Sequence, residues 1–168
     1  MRMFSFPGSE KGTLGALVYA IHHQPDRFGL NRIPPEALQA LHTAAHLEMI
    51  DNDIRPALRA GHFVLLDRFW WSTWVYGRRY GAALATLDAL IRAEQTHWAP
   101  IIPIAVILLK RGRGDQNLTD LYEELGQIES ARHPVLRIPN ELSPEETVST
   151  IMGSVTALLR GEASWSGL

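Results

Sequence analysis

The chain has no cysteine, which excludes disulfides, thiolate catalysis and cysteine-ligated zinc together. It has no apolar run approaching the roughly 18 residues that a membrane span needs. Its N-terminus lacks the charged-then-apolar layout of a secretory signal, so a cytoplasmic protein is expected. Positive charge is not in excess either: 16 basic against 18 acidic side chains leave a net charge of -2, without the electrostatic footprint of a duplex-DNA binder. Internal repeats and low-complexity segments are missing too. One absence bears directly on chemistry, because no G-x-x-x-x-G-K-[ST] string occurs, and with it the loop that cradles nucleotide phosphates. Gly8-Ser9-Glu10-Lys11-Gly12-Thr13 is a near miss whose lysine precedes the second glycine. That motif works by order and spacing, so the segment reads as a turn and a helix start.

What is present describes an ordinary globular protein: 46% hydrophobic and 20% charged side chains over 168 residues, enough for one domain spanning 1–168. Strands and helices alternate. Met1–Phe6 reads as a strand ended by Pro7-Gly8. Thr13–His23 reads as a helix with Leu14, Leu17, Val18 and Ile21 on one face. Gln24–Pro34 is a loop punctuated by Pro25, Gly29 and Pro34. A long helix is predicted over Pro35–Arg59, kinked near Pro56 and stopped by Gly61. His62–Leu66 is a strand, Phe69–Tyr80 an aromatic segment, and Ala82–Gln95 a helix. Ile101–Leu109 reads as a strand without alternation, hence covered on both faces. A glycine-rich basic hinge, a helix over Leu118–Arg132 and a strand over Val135–Ile138 follow. Ser143, Pro144 and Glu146 make a capping box for the last helix, whose buried stripe is expected to be Val148, Ile151, Met152, Val155, Leu158 and Leu159. Four strands separated by helices predict an α/β fold with a parallel sheet.

The most informative stretch is Phe63-Val64-Leu65-Leu66-Asp67-Arg68. Four apolar residues in succession predict a strand buried on both faces, and an acid and an arginine stand where it leaves the sheet. In open parallel sheets, ligands bind outside the carboxyl ends of the strands. A carboxylate there can hold a hydrated Mg2+, and an arginine can grip phosphate through paired hydrogen bonds. The pair points to phosphoryl transfer; a plain ion pair at a strand end is the alternative. His42 and His46 share a helical face at i, i+4, but without a third ligand or a glutamate they do not make a zinc motif. Trp70, Trp71 and Trp74 read as core or dimer face in preference to ligand stacking.

These blocks resemble the thymidylate kinase family. The resemblance is carried by Ile54-Arg55-Pro56-Ala57-Leu58-Arg59-Ala60-Gly61 ahead of Asp67-Arg68-Phe69, then Ser72 and Val75-Tyr76-Gly77. Upstream it includes Phe6-Pro7-Gly8 with Gly12-Thr13-Leu14-Gly15, and Leu41-His42-Thr43-Ala44-Ala45-His46. Downstream it includes Leu121-Tyr122-Glu123-Glu124-Leu125. It covers nearly the whole chain and implies the three-layer α/β/α fold of P-loop kinases, with a parallel sheet of which four strands are visible. It further implies ATP-dependent phosphoryl transfer to a nucleoside monophosphate, with ATP and Mg2+ as cofactors. The implied partner is the nucleotide, with neither nucleic acid nor membrane, and the implied assembly is a homodimer.

By the same resemblance, Asp67 is the metal-water partner and Arg68 the phosphoryl-contacting arginine. Ser5, Phe6, Pro7, His42, His46, Ser72 and Tyr76 line the acceptor side; Ser72 and Tyr76 have capping or packing as the alternative. Arg111 and Arg113 belong to a short lid-like segment, 110–133, where solvated hinge charge is the alternative. Ser5 stands where the family often has a phosphate-contacting arginine, His42 where it has a base-stacking phenylalanine, and His46 where it has a substrate-binding arginine. These departures leave three readings: a nucleoside monophosphate kinase, a kinase of another small molecule, or a catalytically degenerate nucleotide-binding or dimerising relative. The resemblance also implies a preceding strand, phosphate loop and helix, about 30 residues by the usual size of such units. The chain is therefore expected to be an N-terminally truncated domain with negligible phosphoryl transfer of its own.

Overall fold

The computed structural model describes residues 1–99, 101–110, 115–139 and 141–162; Arg111 and Arg113 lie outside them. The protein is α/β, rich in helix, and its strand pairings are parallel. It gathers into two compact units, Met1–Pro100 and Ile101–Leu168.

In the first unit, β1 (Arg2–Ser5) pairs with β2 (Val64–Asp67), Met3 opposite Leu65 and Ser5 opposite Asp67. Between them run α1 (Leu14–His23), a 3-10 turn at Pro25–Phe28, and the long helical stretch predicted for Pro35–Arg59. That stretch is α2 (Pro35–Met49), a π turn over Ile50–Ile54 and α3 (Arg55–Arg59). Pro56 has no N–H to give the carbonyl one turn back. The chain widens just ahead of it, Arg55 N–H bonding to the Ile50 carbonyl five residues earlier. The expected kink is thus taken up as a π turn that keeps Ile50 and Ile54 fully buried. The aromatic segment becomes α4 (Trp70–Arg79), packed with α2 and with α5 (Leu84–Trp98). Trp70, Trp71 and Trp74 are all buried in this unit's core beside Val75 and Leu87.

One expectation about β2 fails. The strand read as buried on both faces has Phe63 62% and Leu65 44% exposed, beside Met3 at 66%. Side chains of a strand alternate between faces, and in this two-stranded sheet Phe63, Leu65 and Met3 fall together on the open one.

The second unit pairs β3 (Val106–Lys110) with β4 (Val135–Pro139) across α6 (Gln116–Glu129), and closes with α7 (Pro144–Leu159). Strand β3 starts later than Ile101, and Ile102, Ile104 and Leu109 are exposed, so it is not covered on both faces. The capping box forms as expected: Glu146 N–H donates to Ser143 Oγ and Ser143 N–H to Glu146 Oε2. The stripe expected on α7 does not bury. Val148, Met152 and Leu159 are exposed, while Ile151, Val155 and Leu158 are half-buried. A helix stripe spans 100° or more, and a sheet of two strands is too narrow to cover it. Among the described residues the strands form two parallel pairs, β1 with β2 and β3 with β4, in place of one continuous sheet. Among the described residues no helix is long and apolar enough to cross a membrane.

Candidate functional site

Parallel pairing in register brings the C-terminal ends of β1 and β2 side by side. There Ser5 Oγ donates to Asp67 Oδ2 at 3.0 Å, and Phe6 N–H donates to the Asp67 carbonyl at 3.0 Å. Both side chains are exposed. The other Asp67 carboxylate oxygen has no hydrogen bond among the described residues, so it is available to a cation or to water. Arg68 follows with a φ of 69°, a left-handed conformation that costs a non-glycine residue about 1–2 kcal/mol. This backbone turn carries its guanidinium toward the Tyr76 ring of α4, 5.8 Å from the centroid.

Behind the strand ends lies a chain of contacts that sequence reading did not anticipate. Phe6 stacks on His46 with centroids 3.9 Å apart and planes within 9°. His46 Nδ1 meets Glu94 Oε2 at 3.0 Å, and Trp98 Nε1 donates to Glu94 Oε1 at 3.2 Å. Trp98 in turn lies edge-on to Phe69 at 5.3 Å. Glu94 is 0% exposed and His46 3%. The series Phe6–His46–Glu94–Trp98–Phe69 thus starts one residue beyond Ser5 and ends one residue beyond Arg68. Of the expected acceptor residues, Phe6 and His46 belong to this buried support and turn their rings to each other. Neither Glu94 nor Trp98 was legible as a site residue, since 48 residues separate Glu94 from its histidine. A glutamate four residues before a tryptophan on an otherwise apolar helix face was the one available signal.

His42, one turn before His46, takes a different partner: its Nε2 lies 3.3 Å from His22 Nδ1 on α1. Burial pushes the His42 pKa down to about 3, with His46, His22, Arg68 and His23 adding repulsion. His22 is lowered as well, by burial first and then by His23 and Arg68. His42 is therefore neutral in the native protein at ordinary pH. Ser72, on the first turn of α4, is half-buried, with its N–H bonded to the Phe69 carbonyl. Pro7 occupies the turn after β1, its carbonyl against the start of α1. Among the described residues no three histidine, aspartate or glutamate side chains converge to hold a metal.

The His42 shift has a measurable consequence. Above the ordinary histidine value of 6.5, native and unfolded chains both keep the ring neutral and it contributes no pH dependence. Below that value the unfolded chain takes up a proton that the native state refuses, so stability falls as pH drops toward about 3. Urea midpoints measured across this window should fall less steeply for His42→Phe than for wild type. Equal slopes would show that the native ring accepts the proton after all.

No protein-family model matches the chain. Over 125 residues, 71% of this chain, it is 30% identical to a thymidylate kinase of Jannaschia sp. (strain CCS1), a match that takes in 58% of that protein. The chain therefore spans somewhat over half the length of the curated relative it matches.

Proposed function

We propose that this chain is the acceptor-side part of a thymidylate-kinase-like nucleoside monophosphate kinase, with Arg68 contacting the phosphoryl group and Asp67 ordering the metal's water. The observation that carries this reading is Arg68 itself. A non-glycine residue is held at a φ of 69° at the carboxyl end of a parallel strand, beside a carboxylate fixed by Ser5. Backbone strain of this kind persists where surrounding structure over-determines it, and it clusters at ligand sites. Similarity to a thymidylate kinase supports the same reading. Asp67, exposed and oxygen-donating, suits a cation that keeps most of its water, as Mg2+ does. When bound with ATP, Mg2+ supplies charge neutralisation on the transferred phosphoryl; Asp67 and Arg68 supply position. His22, His42 and Tyr76 flank the acceptor, with Ser72 on the same helix as Tyr76.

A second reading, a nucleotide-binding relative without transfer, is favoured by two observations. His46 is committed to Glu94 at the position where a guanidinium would hold substrate, and no glycine–lysine phosphate loop is encoded in these residues.

The test is titration of the 168-residue chain with thymidine monophosphate and a panel of other nucleoside monophosphates, with an ATP transfer assay in parallel. Arg68→Gly is the informative variant, because it removes the guanidinium and relaxes the left-handed backbone, so lost binding is not a folding defect. We expect binding of a monophosphate that weakens at least about tenfold in Arg68→Gly, as for loss of a charge-assisted contact, with negligible transfer from ATP. Binding indifferent to this change would refute the role given to Arg68. Robust transfer by the chain alone would refute the assignment to the acceptor side only.

A further inference from the structure

Four of the seven histidines lie in one row across α1 and α2. Ring centroids are 4.9 Å apart for His23 and His22, 5.2 Å for His22 and His42, and 6.3 Å for His42 and His46. The outer two have their Nδ1 atoms engaged. His23 Nδ1 lies 2.9 Å from the Tyr19 carbonyl, which can only accept, so that nitrogen carries the proton. His46 Nδ1 is held by the Glu94 carboxylate. The inner two, His22 and His42, face each other through Nδ1 and Nε2.

Their 3.3 Å separation is at the long end for a hydrogen bond, since N–H···O bonds span about 2.7–3.2 Å. It equals the spacing of two imidazole nitrogens across a tetrahedral metal, about 3.3 Å when each metal–nitrogen bond is about 2.0–2.1 Å. The centroid distance of 5.2 Å is shorter than two rings aimed straight at each other would give at that nitrogen separation. At least one ring leans off the line, as rings do when both address a third point. His22 is exposed and His42 half-buried, so an ion can reach the pair from solvent.

We propose that His22 Nδ1 and His42 Nε2 form a binding site for one borderline transition-metal dication of the Zn2+, Ni2+ and Cu2+ class, its other positions open to water or an exogenous ligand. This does not rest on the kinase reading. Imidazole binds these ions as the neutral base, and each ring presents one nitrogen to the other across the gap. The site has two protein ligands, and among the described residues no third histidine, aspartate or glutamate joins them. The facing charge is Arg68, which acts on both rings and weakens cation binding.

Calorimetric titration of the whole chain with NiCl2 and ZnCl2, with MgCl2 as the oxygen-preferring control, tests the proposal. The expected result is one Ni2+ or Zn2+ per chain. His22→Ala, at an exposed position, should weaken binding at least about tenfold while leaving the urea midpoint unchanged. His97→Ala, distant in the sequence and placed beside Asp51, should leave it unchanged, and Arg68→Gly should tighten it severalfold. Electron paramagnetic resonance of the Cu2+ form should show two coordinated nitrogens, reduced to one in His22→Ala. No binding at millimolar ion, equal binding of Mg2+, or affinity indifferent to His22→Ala would each overturn it.

Discussion

His46→Ala should destabilise the protein by at least about 1–3 kcal/mol, the cost of leaving a buried polar group without its hydrogen-bond partner. Glu94 is completely buried, and its two described donors are His46 Nδ1 and Trp98 Nε1. Deleting the imidazole leaves the carboxylate with the Trp98 indole as its described partner. It also strips Phe6 of the ring stacked on it at 3.9 Å. Equilibrium urea unfolding of wild type, His46→Ala, Glu94→Ala and the double variant measures the effect. The double variant should lose less than the two single losses combined, by a coupling of about 1–3 kcal/mol, because a carboxylate already removed cannot be orphaned. A loss below about 1 kcal/mol for His46→Ala would mean that the pair is solvated and the support behind the strand ends is not a buried one. Phe6 and Phe69 terminate this chain of contacts beside Ser5 and Arg68, so the same variant should also loosen monophosphate binding.

Gly15→Ala should cost about 3 kcal/mol, the upper part of the range for overpacking, against the usual sign. Alanine in a helix is normally favoured over glycine by about 0.5–1 kcal/mol. At Gly15, on the first turn of α1, an added Cβ would stand 1.9 Å from the Pro7 carbonyl oxygen and 2.8 Å from its carbon. These are backbone atoms with no rotamer to yield, so α1 or the turn after β1 has to move. The helix end is fixed from the other side too, Leu14 N–H donating to Glu48 Oε2 at 2.7 Å. Gly153→Ala is the matched control, since a Cβ at that α7 position meets nothing within 4 Å and should stabilise by about 0.5–1 kcal/mol. Thermal unfolding of the two variants should move in opposite directions. Parallel stabilisation would show that α1 does not press on Pro7 in solution.

Local signals carried much of this molecule. Ser143 and Glu146 announced the start of α7, Gly61 and Pro7-Gly8 marked the ends of elements, and the order of strands and helices predicted parallel pairing. The acid and arginine after Leu66 were visible as a strand end before any coordinates. Faces were less legible. An unbroken apolar run is the same string whether two helices cover a strand or one does, so Phe63 and Leu65 read as buried though both are exposed. Pro56 was read correctly as an interruption, but its relief by a π turn depends on keeping Ile50 and Ile54 inside, which is a demand of packing.

The histidines show the division most clearly. The i, i+4 spacing of His42 and His46 follows from the sequence, because helical geometry alone sets which residues share a face. What each ring does was decided by neighbours 20 and 48 residues away, His22 and Glu94. Hydrogen bonds within a helix are fixed by its own pitch. Partners of its side chains are fixed by how helices pack, where burial makes an unpaired imidazole or carboxylate too costly to keep.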